Sequence, residues 1–260
     1  MDAARRTGYV SRQGLSYTRQ GTGPVVVLVH GWCLSRHVWM YLEQGLATTG
    51  HCVVAPDLAG FGESGWLTPR AALAEHAADV IDLLDELDVT GAVLVGFAFG
   101  AAVILSAHDY QRVRALVSLA IPSAATAPYS RMRGSILKDW PRFAARSSSA
   151  ILSQPTSDET RAWLASIFGA TSISAALGGL DILETFEPAD LAGQWNVPAV
   201  FAHGADDPIV PAAVSRDCAR RFDGSYAEIP DCGHLVVIDQ KDAVLGLVTG
   251  VIRSAQPGRF

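Results

Sequence analysis

The pentad GFAFG at residues 96–100 is the stretch of this sequence whose residue types and spacing most directly indicate chemistry. An apolar segment of strand length leads into it, and an alanine-rich segment of helix length follows it. A turn of the form Gly-x-nucleophile-x-Gly between a strand and a helix exposes its central side chain, so the pattern predicts a serine at residue 98. The chain has Ala98 instead, which offers no lone pair for attack on a carbonyl carbon.

Three other segments contain histidines, carboxylates or glycine-rich turns: HGWC at 30–33, HGADDPIVP at 203–211 and PDCGH at 230–234. Each of them follows an apolar segment of strand length, as GFAFG does. Ligands of open α/β sheets bind at the carboxyl ends of the strands. We therefore expect all four segments to meet at one edge of a sheet.

The elements that must position these segments alternate between strand and helix. Strand-like segments lie at 25–30, 52–56, 91–96, 115–121, 197–204 and 225–230, after an N-terminal hairpin, and helix-like segments lie at 40–47, 70–87, 101–110, 212–222 and 242–254. Pro69 is expected to open the second of these helices. This alternation predicts an α/β fold with an open, doubly wound and mostly parallel sheet.

The alternation stops between residues 123 and 190, a region rich in Ser, Ala and Thr with several prolines and aromatic residues. We predict that this region is a small helical cap inserted into the α/β core. The core itself would then consist of residues 1–122 and 191–260.

Aromatic residues of the predicted cap could wall an apolar substrate pocket. The five main candidates are Trp140, Phe143 and Trp163 of the cap, with Trp32 and His37 contributed by the core. Further apolar residues of the cap could also contribute to the wall, namely Phe168, Leu177, Leu180, Ile182 and Leu183. Few charged residues fall among the candidates, which favours a neutral or weakly polar, fairly hydrophobic small molecule as the substrate.

The order and rough spacing of the four segments resemble the α/β-hydrolase family, and the resemblance covers residues from about 14 to 254. It implies the α/β-hydrolase fold. In that family the segments are, in chain order, the oxyanion loop, the nucleophile elbow, the acid and the histidine.

The resemblance assigns a role to five positions. Ala98 occupies the position of the nucleophile, His234 that of the general base, and Asp207 that of the acid that orients the histidine. The backbone N–H groups of Trp32 and Phe99 would form the oxyanion hole.

Two adjacent carboxylates compete for the role of the acid. The family's acid is usually three residues after the glycine of this turn and four before the proline, and Gly204 and Pro211 accordingly select Asp207. Asp206 remains the alternative, and it is otherwise a residue of the turn.

Short segments of the sequence resemble two particular branches of the family. HGWCLSRHVW, APDLAGFGESG and AVLVGFAFGAA resemble the cofactor-free haloperoxidases and aryl esterases, which implies hydrolysis of an ester or lactone without a cofactor. The segment 30–46 is also similar to cofactor-independent 2,4-dioxygenases, which use a His–Asp pair as base. Those carry a histidine where this chain has Leu34, and an acid where 118–122 has none.

Ala98 leaves three explanations open. The serine has been replaced in an otherwise intact hydrolase, so that the chain is an inactive variant. Alternatively, the protein naturally lacks a serine and uses His234 with Asp207 as a base, in a lyase, cyclase or dioxygenase reaction. In the third, it is a non-catalytic pseudo-hydrolase that binds a small ligand.

Charge, apolar runs and the positions of the cysteines and histidines limit the partners, location and metals that we expect for this protein. The 260 residues carry a net charge of -6 and no long basic run, which argues against a nucleic-acid partner. The apolar runs are too short for a membrane span, and the N-terminus has no apolar signal segment. Four scattered cysteines without a CxxC pair indicate reduced thiols in the cytoplasm. No histidine pair has metal-ligand spacing, so we expect no metal, and the oligomeric state cannot be inferred.

Overall fold

The computed structural model describes residues 7–107, 111–125, 128–153 and 155–255. One eight-stranded sheet lies at its centre, in the order β1-β2-β4-β3-β5-β6-β7-β8. The strands are β1 (Thr7–Val10), β2 (Ser16–Gln20), β3 (Val25–Val29), β4 (Cys52–Pro56), β5 (Ala92–Phe97), β6 (Val113–Leu119), β7 (Ala199–Gly204) and β8 (Ser225–Ile229). β2 pairs antiparallel with β1 and β4, whereas all other neighbouring strands are parallel.

Helices connect the parallel strands. They are α1 (Met40–Thr48), α2 (Leu73–Glu86), α3 (Phe99–Ser106), α4 (Tyr129–Lys138), α5 (Trp140–Ala150), α6 (Asp158–Ala170), α7 (Ile173–Thr185), α8 (Ala213–Arg221), α9 (Val236–Asp239) and α10 (Lys241–Ser254). The predicted α/β fold and its mostly parallel sheet are confirmed. Helices α4 to α7 lie between β6 and β7, in the region where the sequence predicts a helical insertion.

The start of α2 differs from the prediction. The helix begins at Leu73 rather than next to Pro69, because the carboxylate of Glu75 turns back and accepts hydrogen bonds from the N–H groups of Ala71 (2.7 Å) and Ala72 (3.2 Å). These bonds satisfy N–H groups at the helix start that have no intrahelical partner, so they fix the first turn at Leu73. The helix predicted over 101–110 ends at Ser106, and residues 108–110 lie outside the described part of the chain.

The central strands form the rigid platform for the site. Residues Val26, Val27, Leu28 and Val29 of β3 are all fully buried, as expected for a strand covered by helices on both faces. The β-branched side chains of Val26, Val27 and Val29 have few rotamers, so the carboxyl end of the strand is held in a fixed position.

Among the described residues, no single helix is both long and apolar enough to cross a membrane, and α6 and α7 pass that test only as a pair bent by 89°.

Candidate active site

The pentad GFAFG forms a sharp turn between β5 and α3. Ala98 is the single residue between the two elements, with φ 48° and ψ -111°, a conformation that non-glycine residues rarely adopt. A Cβ on Gly96 would lie 2.3 Å from the carbonyl oxygen of Gly100, and a Cβ on Gly100 would lie 2.0 Å from that of Val29. Both positions therefore require glycine, because backbone atoms occupy the space that a side chain needs.

Substituting Gly100 by Ala is expected to lower the free energy of unfolding by about 3 kcal/mol or more, since the clash is with the backbone of β3 and no side chain can move aside. Gly250→Ala in α10 is the matched control, because nothing lies within 4 Å of a Cβ built there. That change should raise stability by about 0.5–1 kcal/mol. Urea unfolding measures the free energy of unfolding of both variants. Equal midpoints for the Gly100 variant and the parent would contradict the close approach of residue 100 to the backbone of Val29.

A buried histidine–aspartate pair lies at the same edge of the sheet. His234, in the loop after β8, has its Nδ1 2.7 Å from Oδ2 of Asp207, in the loop after β7. The Asp207 carboxylate can only accept, so His234 donates from Nδ1 and keeps the lone pair on Nε2. Asp207, and not the exposed Asp206, makes this contact.

The carboxylate of Asp207 is fully engaged. Its Oδ1 accepts hydrogen bonds from the N–H groups of Ile209 (2.8 Å) and Val210 (3.0 Å). Burial on its own would raise the pKa of Asp207, but hydrogen bonds from His203, His234 and the N–H of Val210 outweigh it and hold that pKa well below its usual range. Asp207 is therefore an ionised anchor for the His234 ring.

His203 is a second histidine on the same carboxylate. Its Nε2 lies 3.0 Å from Oδ2 of Asp207 and 2.9 Å from the carbonyl oxygen of Val210, and its Nδ1 lies 2.7 Å from Oγ of Ser215. The ring is completely buried. His203 ends a strand and Asp207 lies in the turn that follows, so no helical spacing in the sequence indicates this contact.

Ala98 and His234 line one cavity of about 320 Å³ between the sheet edge and helices α4 to α7. Most of its lining is apolar, which suits a small hydrophobic ligand. Phe168 of α6 and Leu183 of α7 line it and belong to the apolar cap residues expected to do so, whereas Tyr129 and Met132 of α4 were not predicted. Pro208, Ile209 and Val210, which directly follow the acid, also line it.

Of the five predicted pocket residues, Trp32 and Phe143 line this cavity. Trp140 lies behind it and stacks on Phe143 at 6.0 Å between ring centroids. Trp163 borders a different surface cleft, and His37 contacts Oγ of Ser35 at 3.3 Å and does not border the cavity. For Trp140 and Trp163 the cause is the same, since helical spacing does not reveal how each helix is rotated about its own axis. His37 lies in the turn Arg36–Trp39 before α1.

The indole of Trp32 connects the loop after β3 to α7. Its Nε1–H donates to the carbonyl oxygen of Ala176 (2.9 Å), and a Cβ on Gly179 would lie 2.6 Å from its ring. Its ring also meets that of Phe168 edge-on, at 5.9 Å between centroids. Trp32 is thus held in place by contacts with both α6 and α7.

His30 braces the loop that carries Trp32. Its Nδ1 lies 2.8 Å from the carbonyl oxygen of Gly31, and its Nε2 accepts a hydrogen bond from the N–H of Leu58 (3.0 Å). Complete burial lowers the pKa of His30, so the ring is neutral, donates from Nδ1 and accepts at Nε2. Cys33, with φ 54°, then turns the chain away. These hydrogen bonds give His30 a structural role in the loop.

A third buried histidine, His76 of α2, packs against the far side of Phe99, with 5.3 Å between ring centroids. Burial, and next the charge of Arg70, lowers the pKa of His76 to about 3. The unfolded chain binds this proton at the ordinary pKa of about 6.5. The stability that His76 contributes is therefore complete above about pH 6.5 and is lost as the pH falls towards 3.

Replacing His76 by Phe should make the stability of the protein less sensitive to acid. In the parent, the free energy of unfolding is expected to fall by about 1.4 kcal/mol per pH unit on account of His76 alone between about pH 6.5 and 4.5. Urea unfolding of parent and variant across this range measures the difference in slope, and His30 cancels because both proteins contain it. Identical slopes would show that His76 is protonated in the folded protein.

Comparison with known proteins defines the family. The profile of the alpha/beta hydrolase family matches residues 26–247, so the chain belongs to the α/β hydrolase family. An epoxide hydrolase of Caballeronia sordidicola is 31% identical over 132 residues, which cover 48% of this chain and 40% of that protein. The chain therefore spans less than half the length of this curated relative.

Solved structures agree with this fold. A bromoperoxidase of Bacillus anthracis superposes with a TM-score of 0.87 at 18% identity, covering 95% of this chain and 100% of the other. An esterase of Exiguobacterium antarcticum superposes with a TM-score of 0.88 at 16% identity, covering 96% and 100%. The family that the four sequence segments resemble is thus confirmed.

The described residues contain no group of three or more His, Cys, Asp or Glu side chains placed to hold a metal ion. All four cysteines are buried thiols without disulfide bonds.

Proposed function

We propose that the site is built to hydrolyse an ester or lactone of a fairly hydrophobic small molecule, and that this chain lacks only the nucleophilic hydroxyl. The observation that carries the proposal is the backbone of Ala98, with φ 48° and ψ -111°. Such a conformation costs about 1–3 kcal/mol, and a methyl group gains nothing that would offset it. A serine there would gain by presenting its Oγ to the cavity that His234 lines.

With a serine at residue 98, the side chains would divide the reaction in the usual way for an acyl transfer. Nε2 of His234 takes the hydroxyl proton while Oγ attacks the carbonyl carbon, and the N–H groups of Trp32 and Phe99 stabilise the oxyanion. Asp207 stabilises the imidazolium. His234 then returns the proton to the leaving alcohol, and water hydrolyses the acyl-enzyme by the same route.

The shape and lining of the cavity support the substrate class. About 320 Å³ of mostly apolar space, walled by Trp32 and Phe143, accepts a small hydrophobic ester without a cofactor. The esterase and the bromoperoxidase of similar fold are consistent with this chemistry.

In this proposal residues 123–190 are the cap over a core of 1–122 and 191–260, and the partner is a small molecule rather than a nucleic acid or a membrane. The buried thiols support a cytoplasmic location.

The intact His234–Asp207 pair favours a second candidate, since it needs no serine to act as a base. A lyase, cyclase or cofactor-free dioxygenase would turn over its substrate in the unaltered chain, and His234→Ala would abolish that turnover. A pseudo-hydrolase would instead bind its ligand equally well with or without His234.

The experiment that tests the first candidate is to restore the hydroxyl with Ala98→Ser. The variant is then assayed on short aryl esters and lactones beside the Ala98 protein.

A further inference from the structure

A surface groove adjoins the cavity at the junction of α4 and α5. It has a volume of about 560 Å³, and Phe143, Ser147 and Ala150 line both spaces. These three residues belong to α5, so the cavity and the groove lie side by side along this helix and share part of their wall. We refer to this space as the α4–α5 groove.

The α4–α5 groove is cationic in a protein of net charge -6. Lys138, Arg142 and Arg146 all line it and are exposed. In the described part of the chain no carboxylate lies within ion-pair distance of these three side chains. Other exposed arginines, such as Arg216 and Arg221, do pair with carboxylates.

The single acidic residue of the α4–α5 groove is already engaged. The carboxylate of Asp139 accepts a hydrogen bond from the N–H of Arg142 (3.1 Å) at the start of α5. An anion entering the α4–α5 groove would therefore face three cations and one carboxylate held at a helix start, where it offsets the helix dipole.

We propose that the natural substrate is amphipathic: an apolar chain that carries its ester at the Ala98 end and a carboxylate at the other end, which the α4–α5 groove binds. The position of the ester rests on the proposed function, whereas the binding of a carboxylate does not. The apolar cavity and the cationic groove share three lining residues, so one molecule that reaches from the cavity into the groove would be apolar over one part and negative over the other. A neutral ester would leave the cations of the groove without a partner.

The expected selectivity is modest and depends on salt. An exposed ion pair changes an affinity by a factor of about 1.4 to 5, so two or three cations together give a preference of about five- to tenfold. Raising the salt from about 0.02 M to about 0.5 M shortens the screening length severalfold and should remove most of the preference.

The experiment measures binding of monoethyl adipate, suberate and sebacate to the Ala98 protein, each against its diethyl ester, by calorimetry or tryptophan fluorescence. The members of each pair share the chain and one ester, and differ in the distal carboxylate. If the site is that of a serine hydrolase, the Ala98 protein cannot cleave either ligand, because it lacks the nucleophile. For at least one chain length, the monoester is expected to bind about five- to tenfold tighter.

Charge reversal locates the binding group. Arg142→Glu and Arg146→Glu are each expected to bring the ratio of the two dissociation constants down to about one or below. Arg253→Glu, which reverses an exposed arginine on α10, is the matched control for net charge and should leave the ratio at its parent value.

Three results would overturn the proposal: a ratio near one at all three lengths, a ratio that Arg142→Glu and Arg146→Glu both leave unchanged, or no measurable binding of any monoester at millimolar concentration. Failure of the proposed hydrolase reaction is recognised separately. In that case Ala98→Ser stays inert on short neutral aryl esters, which have no carboxylate for the α4–α5 groove to bind.

Discussion

Ala98→Ser is expected to raise the rate of p-nitrophenyl butyrate hydrolysis by about a millionfold over the Ala98 protein, which matches the loss when a comparable serine hydrolase is deprived of its nucleophile. The effect is expected to be this large because the base, the acid and the turn that would carry the serine are all in place. His234 is oriented by Asp207 at 2.7 Å, and Gly96 and Gly100 keep the turn in the conformation that the serine needs. Stopped-flow or steady-state release of p-nitrophenolate measures the rate.

Ala98→Gly is the matched control at the same position. It removes the methyl group and the backbone strain at φ 48° but adds no nucleophile, so it should stay as inactive as the Ala98 protein while gaining stability. If the Ala98→Ser protein folds and is still inert on a broad panel of esters and lactones, the hydrolase assignment fails. Activity of the Ala98→Gly protein equal to that of Ala98→Ser would show that a group other than the serine hydroxyl reacts.

Adding Asp207→Asn to the Ala98→Ser protein should lower kcat by about 10⁴, the loss seen when the acid of a catalytic triad is converted to its amide. The N–H groups of Ile209 and Val210 would hold the amide oxygen of Asn at the Oδ1 position, so its NH2 group would face His234 and could not accept the Nδ1–H. The ring would then adopt the other tautomer and present a proton to the serine instead of a lone pair. KM should change far less than kcat, because Asp207 is held away from the cavity by the backbone of Ile209 and Val210.

Asp206→Asn provides the internal control for that result. Asp206 is adjacent in sequence and exposed, and His234 is bonded to Asp207 alone. We expect kcat of the Asp206 variant to stay within about threefold of the Ala98→Ser protein, as surface substitutions usually have small effects. An equal loss in the two variants would mean that the net charge of the turn, and not the contact with His234, supports the base.

Much of this architecture could be predicted because the signals are local. The strand and helix order follows from apolar runs and their periods, and the turn at Ala98 follows from two glycines whose space backbone atoms fill. In both cases the residue types within one short segment determine the local geometry. The choice of Asp207 rested instead on the resemblance to the family, whose acid has the same spacing from Gly204 and Pro211, and Asp207 does contact His234.

What could not be predicted depends on how separate elements pack. Trp140 and Trp163 satisfy the same helical spacing as Phe143, yet only Phe143 reaches the cavity, since the rotation of each helix is set by distant contacts. The start of α2 was also misjudged, because the bonds from Glu75 determine it rather than the proline. The α4–α5 groove is a further case, as no pattern within either helix shows that they enclose a space.

The hydrogen bond from Trp32 to Ala176 bears on how ligands reach the cavity. It fastens α7 to the loop after β3, and Gly179 of the same helix packs directly on the indole ring. Swinging α7 outwards as a lid would break this bond and expose the aromatic surface around Phe168. If α7 stays in place during ligand exchange, association is expected to be a single diffusive step whose rate is linear in ligand concentration.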